Sequence, residues 1–278
     1  MTITQLQGGL GNQLFQYTAA VFAEHGHSED ICVDTTYYAY VPNRKYALSR
    51  LGLKCRQITF WDFPLEAPLS LPMIGPLWKK PYAVFGHYFL NEEQKTFTFD
   101  KRLDKKKNQY LIGFWQHHSY PQKYKQQLKK SITFPRHTNS TFLAKVQQTE
   151  SVSLHVRRGD YVHNAAFALT DFSYYKNALQ LIKDRHKKLT FFIFSDDIPW
   201  CKKEFQDVKN VIFIDEKSDE VTDLFLMKSC KHHILANSTF SWWGAFLGFD
   251  ESTVIMPKKW IANPASVSAL HCKKWIQL

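Results

Sequence analysis

Paired cysteines, membrane-length apolar runs and an acidic surplus are all missing from this chain of 278 residues. The five cysteines, Cys32, Cys55, Cys201, Cys230 and Cys272, are odd in number and widely spaced, and they form no C-x-x-C pair. That pattern argues against both a zinc site and a disulfide framework, and it reads as reduced thiols in a cytoplasmic protein. No run of eighteen apolar residues occurs, and MTITQLQGGL has no basic leader followed by an apolar core, so neither a membrane span nor a signal peptide is expected. No glycine-rich phosphate loop with its Gly-Lys-Ser/Thr, no H-E-x-x-H metal helix and no helix-turn-helix, zinc or RNA-binding signature is found. Acidic residues number 25 against 36 basic ones, a net charge of +11. The excess falls in short runs: Lys101-Arg102, Lys105 to Lys107, Lys123/Lys125, Lys129/Lys130 and Lys183 to Lys188. Such runs form a solvated surface or attract an anionic partner, whether a nucleotide-bearing substrate, a membrane surface or a nucleic acid.

The sequence is 44% hydrophobic and 15% aromatic, enough to build the cores of one large or two ordinary domains. Ile3 to Leu6 reads as a strand, Gln7 to Gly11 as a glycine loop and the stretch from Asn12 as a helix with Leu10, Leu14, Tyr17 and Val21 on one face. Ile31 to Asp34 reads as a second strand. A dinucleotide G-x-G-x-x-G beginning at Gly9 fails at Leu14, which leaves a glycine turn at a helix N-terminus. Its N–H groups can meet an anion or a sugar hydroxyl, or it is simply a tight turn. Pro64, Pro68, Pro72, Pro76 and Pro81 mark an irregular, aromatic-rich excursion. Phe85 to Leu90 and Tyr110 to Trp115 look like strands, the second running into Gln116, His117 and His118 before a basic helix around Lys123 to Lys130. Adjacent histidines lack metal-ligand spacing.

Beyond Pro135, apolar runs at 152–156, 190–194, 211–214, 233–236 and 253–256 alternate with helical stretches. One helix carries Tyr175, Ala178, Leu179 and Ile182 on a face, another Val221, Leu224, Phe225 and Lys228. That alternation predicts βαβ units and a parallel sheet, a Rossmann-like domain. SVSLHVRRGDY (Ser151 to Tyr161) runs a period-2 strand into charge. Arg157, Arg158 and Asp160 there fit either an anion site at a strand's carboxyl end or a structural ion-pair corner. The 155–160, 195–197 and 237–241 loops are expected at one sheet edge, forming a polar crevice that bears arginines, although Asn, Ser and Thr before a helix also serve as N-caps. A crevice of that kind suits a diphosphate, because guanidinium forks grip phosphate oxygens in two places.

The motifs GGLGNQLFQYTAA (Gly8 to Ala20), GFWQHHSYPQKY (Gly113 to Tyr124), HVRRGDY (His155 to Tyr161), IFSDD (Ile193 to Asp197) and ANSTFSWWGAFL (Ala236 to Leu247) span nearly the whole chain. With them the sequence resembles the short bacterial α-1,2-fucosyltransferases of glycosyltransferase family 11. The resemblance implies an α/β GT-B architecture, two Rossmann-like domains facing a central cleft, with an acceptor-side domain at 1–138 and a GDP-fucose-binding domain at 139–278. It implies inverting transfer of L-fucose from GDP-β-L-fucose to the 2-hydroxyl of a terminal galactose on an oligosaccharide or lipid-linked glycan, in surface polysaccharide synthesis. GDP-fucose is then a co-substrate, with no cofactor and no metal. Arg157 would hold the β-phosphate, and Asn12 would face the donor phosphate or the acceptor. His155 and Asp223 would recognise guanine or ribose. Arg158, Asp160, Asp196, Asn237, Ser238, Thr239, Phe240 and Ser241 would complete the donor site, with Gly11, Gln13 and Gln116 on the acceptor side. Trp242 and Trp243 would pack beneath it. VHNAAFALTDFS lacks a His-Gly and a Cys found there in many members, which leaves acceptor selectivity open, and no acid is assigned as general base. Transfer of another GDP-sugar, or to another hydroxyl, is the alternative chemistry. Nucleic-acid binding is disfavoured because the charge is scattered, while peripheral contact with an anionic membrane is compatible with catalysis at its cytoplasmic face.

Overall fold

The computed structural model describes residues 1–58, 88–92, 97–105, 108–135, 141–159, 171–215, 219–261 and 267–278. The proline-rich excursion at 64–81 and Asp160 lie outside them. The chain divides into two compact units, Met1–Thr133 and Phe134–Leu278.

In the first unit the described elements are β1 (Thr2–Gln5), α1 (Leu10–Ala23), β2 (Ile31–Asp34), α2 (Tyr37–Tyr40), β3 (Arg56–Ile58), β4 (Tyr88–Asn91), β5 (Gln109–Ile112), α3 (Ser119–Lys123) and α4 (Lys125–Ser131). The strands are all parallel, in the order β3-β2-β1-β5-β4. Helix α1 is buried all round except at Asn12, and the polar Gln13, Gln16 and Thr18 that it buries are hydrogen-bonded. β5 is shorter than the predicted 110–115 strand: Gly113 turns at φ 149 and Trp115 sits at φ 52, so pairing cannot continue. The predicted basic helix is two pieces, α3 and α4, meeting at Tyr124.

The second unit contains α5 (Thr141–Gln148), β6 (Glu150–Val156), α6 (Phe172–Arg185), β7 (Leu189–Ser195), α7 (Ile198–Glu204), β8 (Val211–Phe213), α8 (Glu220–Ser229), β9 (His232–Ile234), α9 (Thr239–Leu247), β10 (Val254–Met256), α10 (Val267–Leu270) and β11 (Ile276–Gln277). These strands form a parallel sheet ordered β11-β10-β9-β6-β7-β8. β7 reads as a continuous apolar run because both its faces are covered. Phe191 and Ile193 join a core with Tyr175, Ala178 and Ile182 of α6, while Phe192 and Phe194 join Phe142, Val146, Leu226 and Met227 of α5 and α8. On α8 the buried residues are Val221, Leu224, Leu226 and Met227, whereas Phe225 and Lys228 are only half-buried. Gly244 lets α9 close on α8, since a Cβ there would come 2.9 Å from Met227 Cβ. Trp242 and Trp243 are fully buried, and Trp242 Nε1 donates to the Leu270 carbonyl at 2.8 Å. Among the described residues no helix is long and apolar enough to cross a membrane.

Candidate functional site

Strand order locates the functional edge of the second sheet. The chain runs outward from β6 through β7 to β8, then returns to the other side of β6 with β9, so β6 and β9 flank the topological switch point. At such a point the loops leaving the two strands diverge, and the carboxyl end of the sheet is left open to a ligand. The segment after β6 carries Arg157, Arg158 and Gly159, and the segment after β9 carries Ala236, Asn237 and Ser238 ahead of α9. Register places His155 beside Phe194 and Val156 beside Ser195, so the Ser195–Asp197 loop shares that edge.

On the polar side of β6 the buried residues differ in how their hydrogen bonds are met. Val152, Leu154 and Val156 enter the core, and Ser151, Ser153 and His155 on the opposite face are also buried. Burial obliges those three to find hydrogen-bond partners. Ser151 Oγ accepts the Lys231 N–H at 3.2 Å and Ser153 Oγ bonds His233 Nδ1 at 2.8 Å, but His155 Nδ1 has no partner among the described residues. Burial, reinforced by the Arg157 charge, lowers the His155 pKa to about 3. The ring is therefore neutral at physiological pH, with one nitrogen to donate and one to accept. Phe240, on the first turn of α9, lies beside it at 5.9 Å between ring centroids.

The two arginines have different surroundings. Arg157 Nη1 is 3.0 Å from Asp196 Oδ2, with both side chains about a quarter exposed. Arg158 is engaged on two sides: its Nε donates to Asp197 Oδ2 at 3.0 Å, and its guanidinium lies 4.2 Å from the Trp200 ring centroid. Asp197 in turn caps α7 by accepting the Trp200 N–H at 3.1 Å, and the Arg158 hydrogen bond holds its carboxyl below the usual carboxylate range. Arg158 thus belongs to a structural corner, built with Asp197. Asp196 braces the loop: its Oδ1 accepts the Arg158 N–H at 2.8 Å, and a Cβ on Gly159 would sit 2.7 Å from its Oδ2. Asp196 holds the backbone that carries Arg157.

On the serine-rich side, Ser238 caps α9 through Oγ, which accepts the Phe240 N–H at 3.3 Å. Ser241 donates its hydroxyl to the carbonyls of Ser238 (3.2 Å) and Ala236 (3.5 Å), and Asn237 Nδ2 donates to the Trp260 carbonyl at 3.0 Å. Both side chains are buried, so they shape the turn that presents the start of α9. Thr239 and Phe240 remain half-buried at that helix start, where backbone N–H groups and the helix dipole favour an anion. Asp223 is half-buried in the first turn of α8.

In the first unit the corresponding switch point lies between β1 and β5. Gly8 turns the chain there at φ 76, and a Cβ would come 2.6 Å from Asn12 Nδ2. Asn12 Oδ1 accepts from Gln116 Nε2 at 3.1 Å, so residues from two distant motifs meet. Gly11 is buried beside it. Gln13 does a different job from the expected one. Its Nε2 donates to Gly8 O (3.2 Å) and Lys45 O (2.8 Å), and its Oε1 accepts from Ala47 N and Leu48 N, both at 3.0 Å. Two donors and two lone pairs are thereby used, leaving no capacity for a sugar. Gln16, not singled out from sequence, joins the two strand ends: it accepts the Gln7 N–H at 3.0 Å and donates to Gly113 O at 3.1 Å.

Among the described residues, Glu150, His186 and His232 form a group close enough to hold a metal, at the amino ends of β6 and β9 and away from the arginines. His232 Nδ1 accepts the Thr253 N–H at 3.1 Å, so its Nε2 carries the proton and donates to Glu150 Oε1 at 3.1 Å. In that tautomer neither ring nitrogen offers a lone pair to an ion.

Two parallel α/β units, one presenting arginine and a helix start at its switch point, define the GT-B class of glycosyltransferases. The fucosyltransferase NodZ from Bradyrhizobium shares this fold, with a TM-score of 0.51 at 12% identity over 89% of this chain and 93% of its own. The sequence profile of glycosyl transferase family 11 matches residues 87–278, and the chain belongs to that family. It is 31% identical to an alpha-1,2-colitosyltransferase of Escherichia coli, over 100% of this chain and 99% of the relative. It is 28% identical to the O-antigen biosynthesis glycosyltransferase WbnK of Escherichia coli, over 98% and 99%. A galactoside 2-alpha-L-fucosyltransferase, SEC1 of Bos taurus, matches at 33% over 34% of this chain and 28% of its own length.

Proposed function

We propose that this family 11 enzyme transfers L-fucose from GDP-β-L-fucose to the 2-hydroxyl of a terminal β-galactose, with inversion and without a metal, in the assembly of a surface polysaccharide. The observation that carries the donor assignment is the β6/β9 switch point, where a neutral His155, its Nδ1 without a partner among the described residues, stands two residues before Arg157. His155 recognises the guanine or ribose, its ring bordered by Phe240. Arg157, braced by Asp196, grips the β-phosphate together with the N-terminal N–H groups of α9. The leaving diphosphate gains negative charge as the glycosidic bond stretches, so donors already aimed at it lower the barrier without reorganising. With cationic and dipolar groups in place, the protein itself neutralises that charge, which is the ground for a metal-free reaction. The second unit is the donor domain in this reading, and Asn12 and Gln116 of the first unit belong to the acceptor side. The 2-hydroxyl linkage is supported by the names of the galactoside and colitosyl relatives, and the pathway by the O-antigen relative.

The test is release of GDP from GDP-fucose by purified protein, dependent on a β-galactoside and undiminished by EDTA, followed by linkage analysis of the product. Activity lost with EDTA and restored by Mn²⁺ would overturn the metal-free step. A second reading, colitose as the sugar transferred, is favoured by the full-length match to a colitosyltransferase. Competition between GDP-fucose and GDP-colitose in one reaction decides between them. Basic α3 and α4 place Lys123, Lys125, Lys129 and Lys130 on one short stretch, which suits peripheral contact with an anionic membrane. Failure to co-sediment with anionic vesicles at low salt would remove that part.

A further inference from the structure

One turn in the first unit is built with more constraint than a connection needs. β5 ends at Ile112 because Gly113 adopts φ 149, and a Cβ there would collide with the Glu92 side chain. Two residues on, Trp115 is held at φ 52, a region that a bulky side chain rarely enters, and it is 1% exposed. Strain of this kind persists only where the surroundings enforce it. Glu92, directly after β4, supplies the enforcement: its Oε2 accepts the Phe114 N–H at 2.7 Å and the Trp115 N–H at 2.9 Å. Burial pushes the Glu92 carboxyl above the usual carboxylate range despite those two donors.

The product of this construction is a presented ring. Trp115 turns inward, and Phe114 is left 38% exposed on a backbone fixed at its own N–H. The next residue, Gln116, sends its amide to Asn12 at 3.1 Å. An exposed aromatic two residues before a paired amide, at the carboxyl edge of a parallel sheet, offers the two kinds of group that a pyranose needs. The ring's C–H face packs on the aromatic, and its hydroxyls reach the amides. Resting on the reading of the protein as a transferase to galactose, we infer that the Phe114–Gln116 turn is the docking platform for the acceptor pyranose, with Phe114 the ring it stacks on and Glu92 the positioning residue that holds the turn.

Steady-state kinetics on the full chain test this. Phe114→Ala is expected to raise the acceptor KM about tenfold, the loss of one stacking contact, with the donor KM unchanged. Phe114→Tyr keeps the wild-type value. Glu92→Ala raises the acceptor KM in the same way, and Glu92→Gln, which retains an oxygen to accept both N–H groups, restores it. An unchanged acceptor KM in Phe114→Ala, or an equal rise in donor KM, would overturn the platform while leaving the transferase reading intact. If the wild type shows no transfer from GDP-fucose, saturation-transfer NMR with methyl β-galactopyranoside reads the platform separately. Loss of saturation in Phe114→Ala then supports it, and saturation equal to wild type overturns it.

Discussion

Replacing Arg157 and Arg158 one at a time by Ala should separate catalysis from stability at neighbouring positions. Arg157 reaches Asp196 at 3.0 Å with its side chain 26% exposed, and a pair so open to solvent is worth about 0.2–1 kcal/mol. Arg158 combines a comparable pair to Asp197 with stacking on Trp200 at 4.2 Å, and a partly desolvated cation–π contact adds about 0.5–2 kcal/mol. At about 2–4 °C of Tm per kcal/mol, Arg158→Ala should cost several degrees and Arg157→Ala fewer than four. Turnover should move the other way. Removing one donor aimed at a developing anion costs about 10²–10³ in rate, roughly 2.7–4 kcal/mol of transition-state stabilisation, and that loss is expected for Arg157→Ala. Arg158→Ala should stay within about tenfold, since it acts by supporting the loop. Scanning fluorimetry gives the Tm, and GDP release at saturating acceptor gives the rate. Turnover lost in Arg158→Ala at an unchanged Tm, with Arg157→Ala near wild type, would refute the assignment.

Acid should destabilise the second unit through its buried neutral histidines. His155 and His233 are each lowered to about 3 by burial, so between that value and the unfolded 6.5 the unfolded chain binds protons that the folded one refuses. Stability is then fully present above pH 6.5 and falls by about 1.4 kcal/mol per pH unit for each ring as the pH drops towards 3; denaturant midpoints across that range check the slope, and replacing His155 by Gln should remove one ring's share of it. Gln13→Ala strips partners from four backbone groups and should cost at least about 2 kcal/mol by urea unfolding. Gly244→Ala forces α9 off Met227 and should cost about 1–3 kcal/mol, with part recovered in the double variant Gly244→Ala, Met227→Ala.

Much of the second sheet was legible because its strands alternate with amphipathic helices at regular spacing, and the observed β6, β7 and β10 fall within two residues of the expected runs at each end. β3 and β11 were not, for Arg-Gln-Ile and Ile-Gln offer no apolar run of the kind that marked β10, and they are strands by virtue of pairing with β2 and β10. The predicted strand at 110–115 ran too long because its apolar pattern continues through Phe114 and Trp115, while the left-handed backbone that ends it depends on Glu92, more than twenty residues away in sequence. Residue type marked Arg157 and Arg158 equally. The family resemblance set Arg157 apart, and the positions of Asp196, Asp197 and Trp200 give the two arginines different surroundings.

By itself, then, the sequence determined what local chemistry can determine: parallel α/β construction, the family, and the segments at strand ends where polar groups collect. The tertiary structure decided which of those groups are committed to the scaffold. Gln13, Asn237 and Ser241 have the same hydrogen-bonding chemistry as residues that bind substrates, yet their buried bonds to distant carbonyls and N–H groups commit them to the scaffold. His155, on the same strand face as two satisfied serines, keeps Nδ1 unmatched among the described residues. A buried polar atom is committed or available according to what the fold brings within about 3 Å of it, and that is a property of long-range packing that no window of sequence contains.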